Sequence, residues 1–342
     1  MLPLKLLDWI DKTKLQWYWL SINPDAIEIL KENKHIFDWG ALSANLNGLE
    51  LLKENPEKIN WYFLSKNPNA ISYLKEHPEK INWDTLSENY NAIELLRANL
   101  DKINWNNLCN NQSPQAIELL KENPEKINWY FLSSNPAAIE LLKENPDKIC
   151  WYVLSSNPNA VQLLKDNPDK INWYYLSRHS GAIELLKKNL DKIDWFLLSE
   201  NQNAVEILKE NPDKIYWLKF SANPNAIDII KNNIDKVNWY CLSSNPNAIK
   251  ILKEHFDKIE WLYLSINPNP EAIELLKENQ DKIEWNMFSS NSAIITYDYE
   301  KMRNSNLDLK EEIIAKALHP KRIFRLIEEY GEEEIYNIYF DE

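Results

Sequence analysis

Residues Asp147–Pro168 read D-K-I-C-W-Y-V-L-S-S-N-P-N-A-V-Q-L-L-K-D-N-P. This stretch decides the fold because it recurs along the chain. Its Trp151 is one of thirteen tryptophans, at 17, 39, 61, 83, 105, 129, 151, 173, 195, 217, 239, 261 and 285. Successive members lie 22 residues apart in ten of the twelve steps, and 24 apart from 105 to 129 and from 261 to 285. The consensus unit is D-K-I-N-W-x-x-L-S-x-N-P-N-A-I-E-L-L-K-E-N-P. A fixed period of this length marks a stacked repeat architecture. The longer steps contain Gln112-Ser113-Pro114-Gln115 and Asn267-Pro268-Asn269-Pro270. Two extra residues there, with the pattern resuming afterwards, predict a surface turn between elements.

Each unit divides into two short helices. In Asn135–Glu144, Asn135 is a good N-cap and Pro136 suits the first helical position. Ala138, Ile139, Leu141 and Leu142 form one apolar stripe, and Glu140 reaches Lys143 at i+3 on the wet face. The other helix carries Trp151 and Leu154, which share a face at i, i+3. It starts at either Pro146 or Trp151. The Ser four residues after each Trp reads as a hydrogen-bonding helix end.

One unit of about 22 residues cannot bury a core, but a stack of thirteen can. The expected fold is all-α: an α-solenoid with Trp, Leu, Ala-Ile and Leu-Leu in one continuous core. A leucine-rich-repeat horseshoe is the alternative, because 22 falls within its period. It needs an apolar residue two before the Leu, and Tyr18, Gly40, Tyr62, Asp84 and Asn106 stand there instead. The expected division is a capping helix over 1–12, tandem repeats over 13–291 and a helical cap over 292–342. In that tail Leu307–Leu318 reads as a helix, with Ile313, Ile314 and Ala317 on one face. Pro320–Tyr330 reads as a second helix, ended by Gly331, and Glu332–Phe340 as a last short helix or strand.

Composition narrows function. The 342 residues include 39 Lys and Arg against 52 Asp and Glu, a net charge of −13. An acidic chain binds polyphosphates poorly, so nucleic acid and anionic membranes are disfavoured partners. No signal peptide or spanning segment is expected, and three isolated cysteines fit a reducing compartment. Four glycines in all leave no room for phosphate loops. The chain reads as soluble and intracellular.

No catalytic set emerges. His35, His77, His179, His255 and His319 are scattered, and His77 and His255 share a column eight units apart, too far to meet in an extended stack. Cys109 replaces the usual Ser, Cys150 replaces Asn, and Cys241 sits two after Trp239. The Asp or Glu before each Trp occupies near-identical surroundings, whereas acid–base catalysis needs carboxyls in different ones. Neither enzyme activity nor a cofactor or metal is expected.

The informative positions vary between units. One and two residues after Trp stand many aromatics, and in a solenoid such positions face outward. The candidate partner surface is Tyr62, Phe63, Tyr130, Phe131, Tyr152, Tyr174, Tyr175, Arg178, Tyr240 and Tyr263. The position five after Trp varies too, and Lys66, Arg178 and Lys219 are the only cations in the columns one, two and five after Trp. Single-stranded RNA is therefore a weak alternative, lacking a basic groove. The expected role is a non-catalytic scaffold for protein–protein interaction.

The tandem I-N-W-x-x-L-S-x-N-P-N-A-I-E-L-L-K-E-N-P unit resembles Trp-containing repeat proteins of large DNA viruses of amoebae and algae. Leu318-His319-Pro320-Lys321-Arg322-Ile323 is similar to that family's closing segment. The resemblance implies a solenoid made in an infected cell, in host cytoplasm or as a minor virion or assembly component. It implies a host or viral protein partner and carries no catalytic residues.

Overall fold

The computed structural model describes residues 3–34, 36–304, 314–316, 318–332 and 334–335. His35, most of the expected helix at 307–318 and most of the expected element at 332–340 lie outside them. The chain forms two compact units. One is Asp8–Ile294; the other combines Met1–Leu7 with Ile295–Glu342.

Within Asp8–Ile294 most repeats share four pieces, although the second turn is 3-10 in only some of them. A 3-10 turn such as Pro146–Lys148 leads through two extended residues to a short α-helix, Trp151–Leu154. The helix thus starts at the Trp. An Asn one residue before the Trp often caps it; the Asn172 side chain accepts from the Tyr175 amide. A second 3-10 turn, such as Pro136–Ala138, is capped by Asn135 and runs into the Leu-Leu helix Ile139–Glu144. The two-residue insertions change this pattern. There the second turn and helix merge into nine-residue helices, Pro114–Glu122 and Pro270–Glu278, with Ser113 and Asn269 as N-caps. The insertion therefore lengthens a helix as well as its approach.

The expected all-α solenoid-like architecture is what forms. The horseshoe alternative fails because the residues around each Trp-x-x-Leu are helical. Among the described residues the only sheet pairs Leu4–Leu6 (β1) antiparallel with Ile295–Tyr297 (β2). Residues 4–6 were expected in a capping helix. They instead satisfy their backbone across the sheet, with Asp298 N–H also donating to Pro3 O at 2.9 Å.

The core differs from expectation in one respect. Leu64, Leu86, Leu108 and Leu132, three after their Trp, are fully buried, as are Ala70, Ala92, Ala116 and Ala138 and the second Leu of each pair. Phe220 and Phe288 replace the first Leu and are equally enclosed. The tryptophans are only half-buried. Each opens a short helix, so its indole lies at the edge of its own repeat. The Lys of the next repeat's D-K-I turn then covers the ring in many repeats. The ammonium to centroid distance is 4.7 Å for Lys102 over Trp83, 5.0 Å for Lys148 over Trp129 and 4.6 Å for Lys282 over Trp261.

Two buried polar rails join the repeats. In the first, the Ser hydroxyl accepts from the amide just before the next Trp, as in Asp38 N–H to Ser21, Asn172 N–H to Ser155 and Glu284 N–H to Ser265. Most of these serines also donate back to their own Trp carbonyl. In the second, an Asn amide donates to two carbonyls of the preceding repeat. Asn157 Nδ2 reaches Ser133 O and Asn135 O, both at 3.0 Å, while its Oδ1 accepts from Asn159 N–H. Among the described residues no buried side-chain nitrogen or oxygen lacks a partner.

The Ser rail closes on itself. Gln16, the residue before the first Trp, donates its amide to Ser289 of the last repeat at 2.8 Å. Lys14 covers Trp285 at 5.2 Å, as its counterparts cover the other tryptophans. Trp9 packs on Phe288 with centroids 5.7 Å apart, and Trp19 Nε1 donates to Asn286 Oδ1 at 3.4 Å. The first and last repeats are therefore neighbours, and the array needs no separate capping helices. The Asn rail does not cross this seam. Asn23 is only half-buried, and among the described residues its amide bonds no carbonyl of the Trp285 repeat.

Two expectations follow. Replacing Asn157 by Leu strands two carbonyls and an amide in the interior, so it should destabilise by about 2–5 kcal/mol. Replacing Asn159, whose amide bonds Pro136 O at the surface, by Ala should cost no more than about 1 kcal/mol. Urea unfolding of both variants checks the contrast; equal losses would place no special weight on the rail. Hydrogen exchange checks the seam. The Gln16 amide should exchange more slowly than a free amide yet faster than those of Asn60 and Asn82, which are held by Ser43 and Ser65. Unprotected exchange would mean an open array, and equal exchange a seam as strong as any other joint.

Candidate functional aromatic face

The Trp helices place their variable residues in two columns. The side chain one after Trp stands away from the core, because Trp and the Leu three on occupy the inward face. Tyr130, Tyr152 and Tyr174, from three successive repeats, are 53 %, 52 % and 53 % exposed. Tyr62 and Tyr240 are exposed to the same degree. The side chain two after Trp leans against the neighbouring repeat, so Phe131, Tyr175 and Tyr263 are half-buried and Phe63 is exposed.

The rings brace each other edge to face, the geometry that the ring quadrupole favours. Within repeats the pairs are Tyr62–Phe63 at 5.3 Å, Tyr130–Phe131 at 5.5 Å and Tyr174–Tyr175 at 5.2 Å. Between repeats they are Tyr152–Tyr175 at 4.7 Å and Tyr240–Tyr263 at 5.6 Å. The Tyr152 and Tyr175 hydroxyls also share a 2.6 Å hydrogen bond. That bond is the chief reason the Tyr175 phenol is shifted above the ordinary tyrosine value, with desolvation second.

The structure groups the candidates unequally. Tyr130, Phe131, Tyr152, Tyr174 and Tyr175 occupy three consecutive repeats. Arg178 continues from them into an ion-pair chain: it lies 3.8 Å from Glu200, which pairs with Lys219 at 3.3 Å. Lys219 in turn sits 5.3 Å from the Phe196 ring, and Phe196 meets Tyr216 at 5.5 Å. Tyr62 and Phe63 stand apart. The two repeats between them and Tyr130 carry Asp84 and Asn106, which accept from the Asn104 and Asn128 side chains, and Thr85 and Asn107, which donate to Tyr62 O and Asp84 O. Tyr240 and Tyr263 follow two and three repeats beyond Phe196.

Several exposed residues of this face lie outside the candidate set, although all but Tyr216 stand in the columns read as variable. Tyr216 stands in the cap column where Asn is usual, and that departure was its signal. Phe196, Leu218 and Leu262 continue the column one after Trp, and all are exposed. Tyr18 and Trp19 are exposed in the first repeat, with Trp19 reaching across the seam.

The histidines and cysteines find structural places. His179 stands in the Asn rail and is buried. Its Nε2 bonds Asn157 O at 2.9 Å while Nδ1 accepts from Gly181 N–H at 3.0 Å, so a single neutral tautomer satisfies both. His179 is thus the N-cap of the Ser180–Ala182 turn, a cap position that is buried within the rail. His77 and His255 each pack 5.4 Å from the Trp of their own repeat. Cys109 takes the Ser place in the first rail, facing the Asn128 amide, and burial pushes its thiol up. Burial also raises Cys241. Among the described residues no three His, Cys, Asp or Glu side chains are grouped to hold a metal.

A cleft of about 490 Å³ lies between the repeats of Trp195 and Trp217, lined by Val205, Pro212, Trp217, Ile229 and Asn232. Its Asn232 and Asn233 amides are already bonded to helix carbonyls. No helix among the described residues is long and apolar enough to cross a membrane. Comparison with protein-family models, curated proteins and solved structures gives no match.

Cys109 offers a check on these assignments. A water-soluble thiol reagent at neutral pH should leave Cys109 unlabelled in the folded protein and label it in urea. Cys109→Ser should keep or slightly raise stability, by up to about 1 kcal/mol, since a hydroxyl is the better rail acceptor. Rapid labelling of native Cys109 would contradict its burial.

Proposed function

We propose that this protein is a non-catalytic scaffold that captures a partner protein on the aromatic face of the Trp129, Trp151 and Trp173 repeats. The observation that carries the reading is the three half-exposed tyrosines in successive repeats, two of them braced through the edge-to-face and hydroxyl contacts of Tyr175. Rings held in place before binding lose little freedom on association, so their burial goes largely into affinity. Tyrosine also offers a hydroxyl to a polar partner group while its ring excludes water.

Charge supports a protein partner over nucleic acid. Near these rings Arg178 is paired with Glu200, and Lys219 with the same carboxylate. The two cations share one carboxylate, so a single net positive charge remains, too little to release many counterions from a phosphate backbone. The repeat unit's resemblance to viral Trp-repeat proteins makes a host or viral protein the partner we propose, with infected-cell cytoplasm as the setting.

The test is affinity capture from infected-cell lysate at about 50 and 300 mM salt, with mass spectrometry. Wild-type protein should retain one protein partner at both salts. Tyr152→Ala with Tyr174→Ala should weaken capture at least tenfold, since each central aromatic is worth about 2 kcal/mol or more. Thermal unfolding should change only slightly, because both side chains are half-exposed and lose only their contacts with Tyr175. A large loss of stability would instead assign the rings to packing. Capture of salt-labile nucleic acid alone would overturn the reading.

A further inference from the structure

The tail helix Pro320–Tyr330 is the largest feature that the scaffold reading does not use. It has well-defined ends. His319 Nδ1 accepts from the Lys321 amide at 3.3 Å, and Gly331, at φ 94°, donates its amide to Ile327 O at 2.9 Å. None of its eleven residues is fully buried, and Ile323, Leu326 and Ile327 are half-buried. Ile323, Leu326, Ile327 and Tyr330 fall at i, i+3, i+4 and i+7, one apolar stripe, and Phe324 beside it is 66 % exposed. A helix this short is marginal in water without a partner for its apolar face.

Its charges are arranged against its own dipole. Lys321, Arg322 and Arg325 lie in the first half, Glu328 and Glu329 in the second. Cations near a helix N-terminus and anions near its C-terminus are unfavourable in isolation. The same order suits an antiparallel neighbour of identical sequence, whose acidic half then lies beside this basic half. A parallel neighbour would set like charges together.

We propose that Pro320–Tyr330 pairs antiparallel with the same helix of a second copy of this chain. A two-fold axis between Leu326 and Ile327 sets Ile323 opposite the second copy's Tyr330, and Leu326 opposite its Ile327. Such an isologous contact matches each residue twice. Arg322 and Glu329 are seven residues apart, so they occupy the same flank of the stripe. In an antiparallel pair that flank meets itself, and Arg322 of each copy faces Glu329 of the other. The helix is only about 16 Å long at 1.5 Å per residue. The interface is therefore smaller than that of a stable dimer, and the association is weak and concentration-dependent.

Sedimentation equilibrium of the full chain, from about 1 to 200 µM, tests this. Wild type should pass from monomer to dimer within that range. Leu326→Glu with Ile327→Glu should remain monomeric, with the unfolding of the repeat array unchanged. Arg322→Glu alone and Glu329→Arg alone should each weaken the dimer by roughly fivefold to tenfold, as two ion pairs are lost and like charges meet. The two together should restore it to within about twofold. A wild-type monomer throughout, a dimer that survives the Leu326 and Ile327 changes, or a double charge swap without recovery would each overturn the proposal. So would binding to anionic vesicles by a chain that stays monomeric.

Discussion

Everything in the array depends on how a repeat of about 22 residues satisfies its backbone. The Trp helices are only four to six residues long, so most of their amides and carbonyls have no partner within the helix. The two rails supply those partners from the neighbouring repeats. A Ser hydroxyl takes the amide before the next Trp, and an Asn amide fills carbonyls of the repeat before it. Each leaves an unsatisfied buried group if its neighbour departs. The hydrophobic core, led by fully buried Leu and Ala, supplies the larger energy. The rails fix the spacing at which that core can pack, because hydrogen bonds tolerate far less displacement than apolar contacts do.

Much of this was legible in the sequence. The period gave the repeat, and Asn-Pro pairs gave the caps of the second turn. The Leu-Leu and Ala positions gave the core. The Ser was read as a local hydrogen-bonder, which describes its bond to the Trp carbonyl. Its bond to the next repeat was hidden, because a spacing of 17 residues has no meaning until two repeats are stacked. The tryptophans misled by their size. An indole opening a short helix cannot turn fully inward, so it rests at the joint between repeats under a lysine. Leu4–Leu6 is too short for period-2 alternation to show, and its partner strand lies at the other end of the chain.

Closure was the least legible property. No period states whether the small rotation between repeats brings the last one back to the first. The evidence lay in details that look like decay of the pattern. Thr13-Lys14-Leu15-Gln16-Trp17 keeps the Lys three before the Trp, and Phe288 takes a Leu position where Trp9 meets it. Closure also changes the energetics of the array. An open stack frays from its ends, whereas a closed one must first break a joint. The missing Asn bond at Asn23 makes the seam the joint with the least to lose.

The partition of aromatics follows from the same constraint. The rails and the Leu-Ala core use up the constant positions, so the columns one, two and five after Trp are the ones free to vary. Those in the second column lean on the preceding repeat and so are partly spent on packing, as the Tyr175 hydroxyl bond to Tyr152 shows. Those in the first column are left in water with their rings already oriented. Water-facing rings contribute nothing to folding in proportion to their size. Their concentration at Tyr130, Tyr152 and Tyr174, with polar Asp84 and Asn106 in the same column two and one repeats earlier, gives the array a face with a beginning. That asymmetry is what a repeat protein needs in order to bind one partner in one register when its backbone is the same in every repeat.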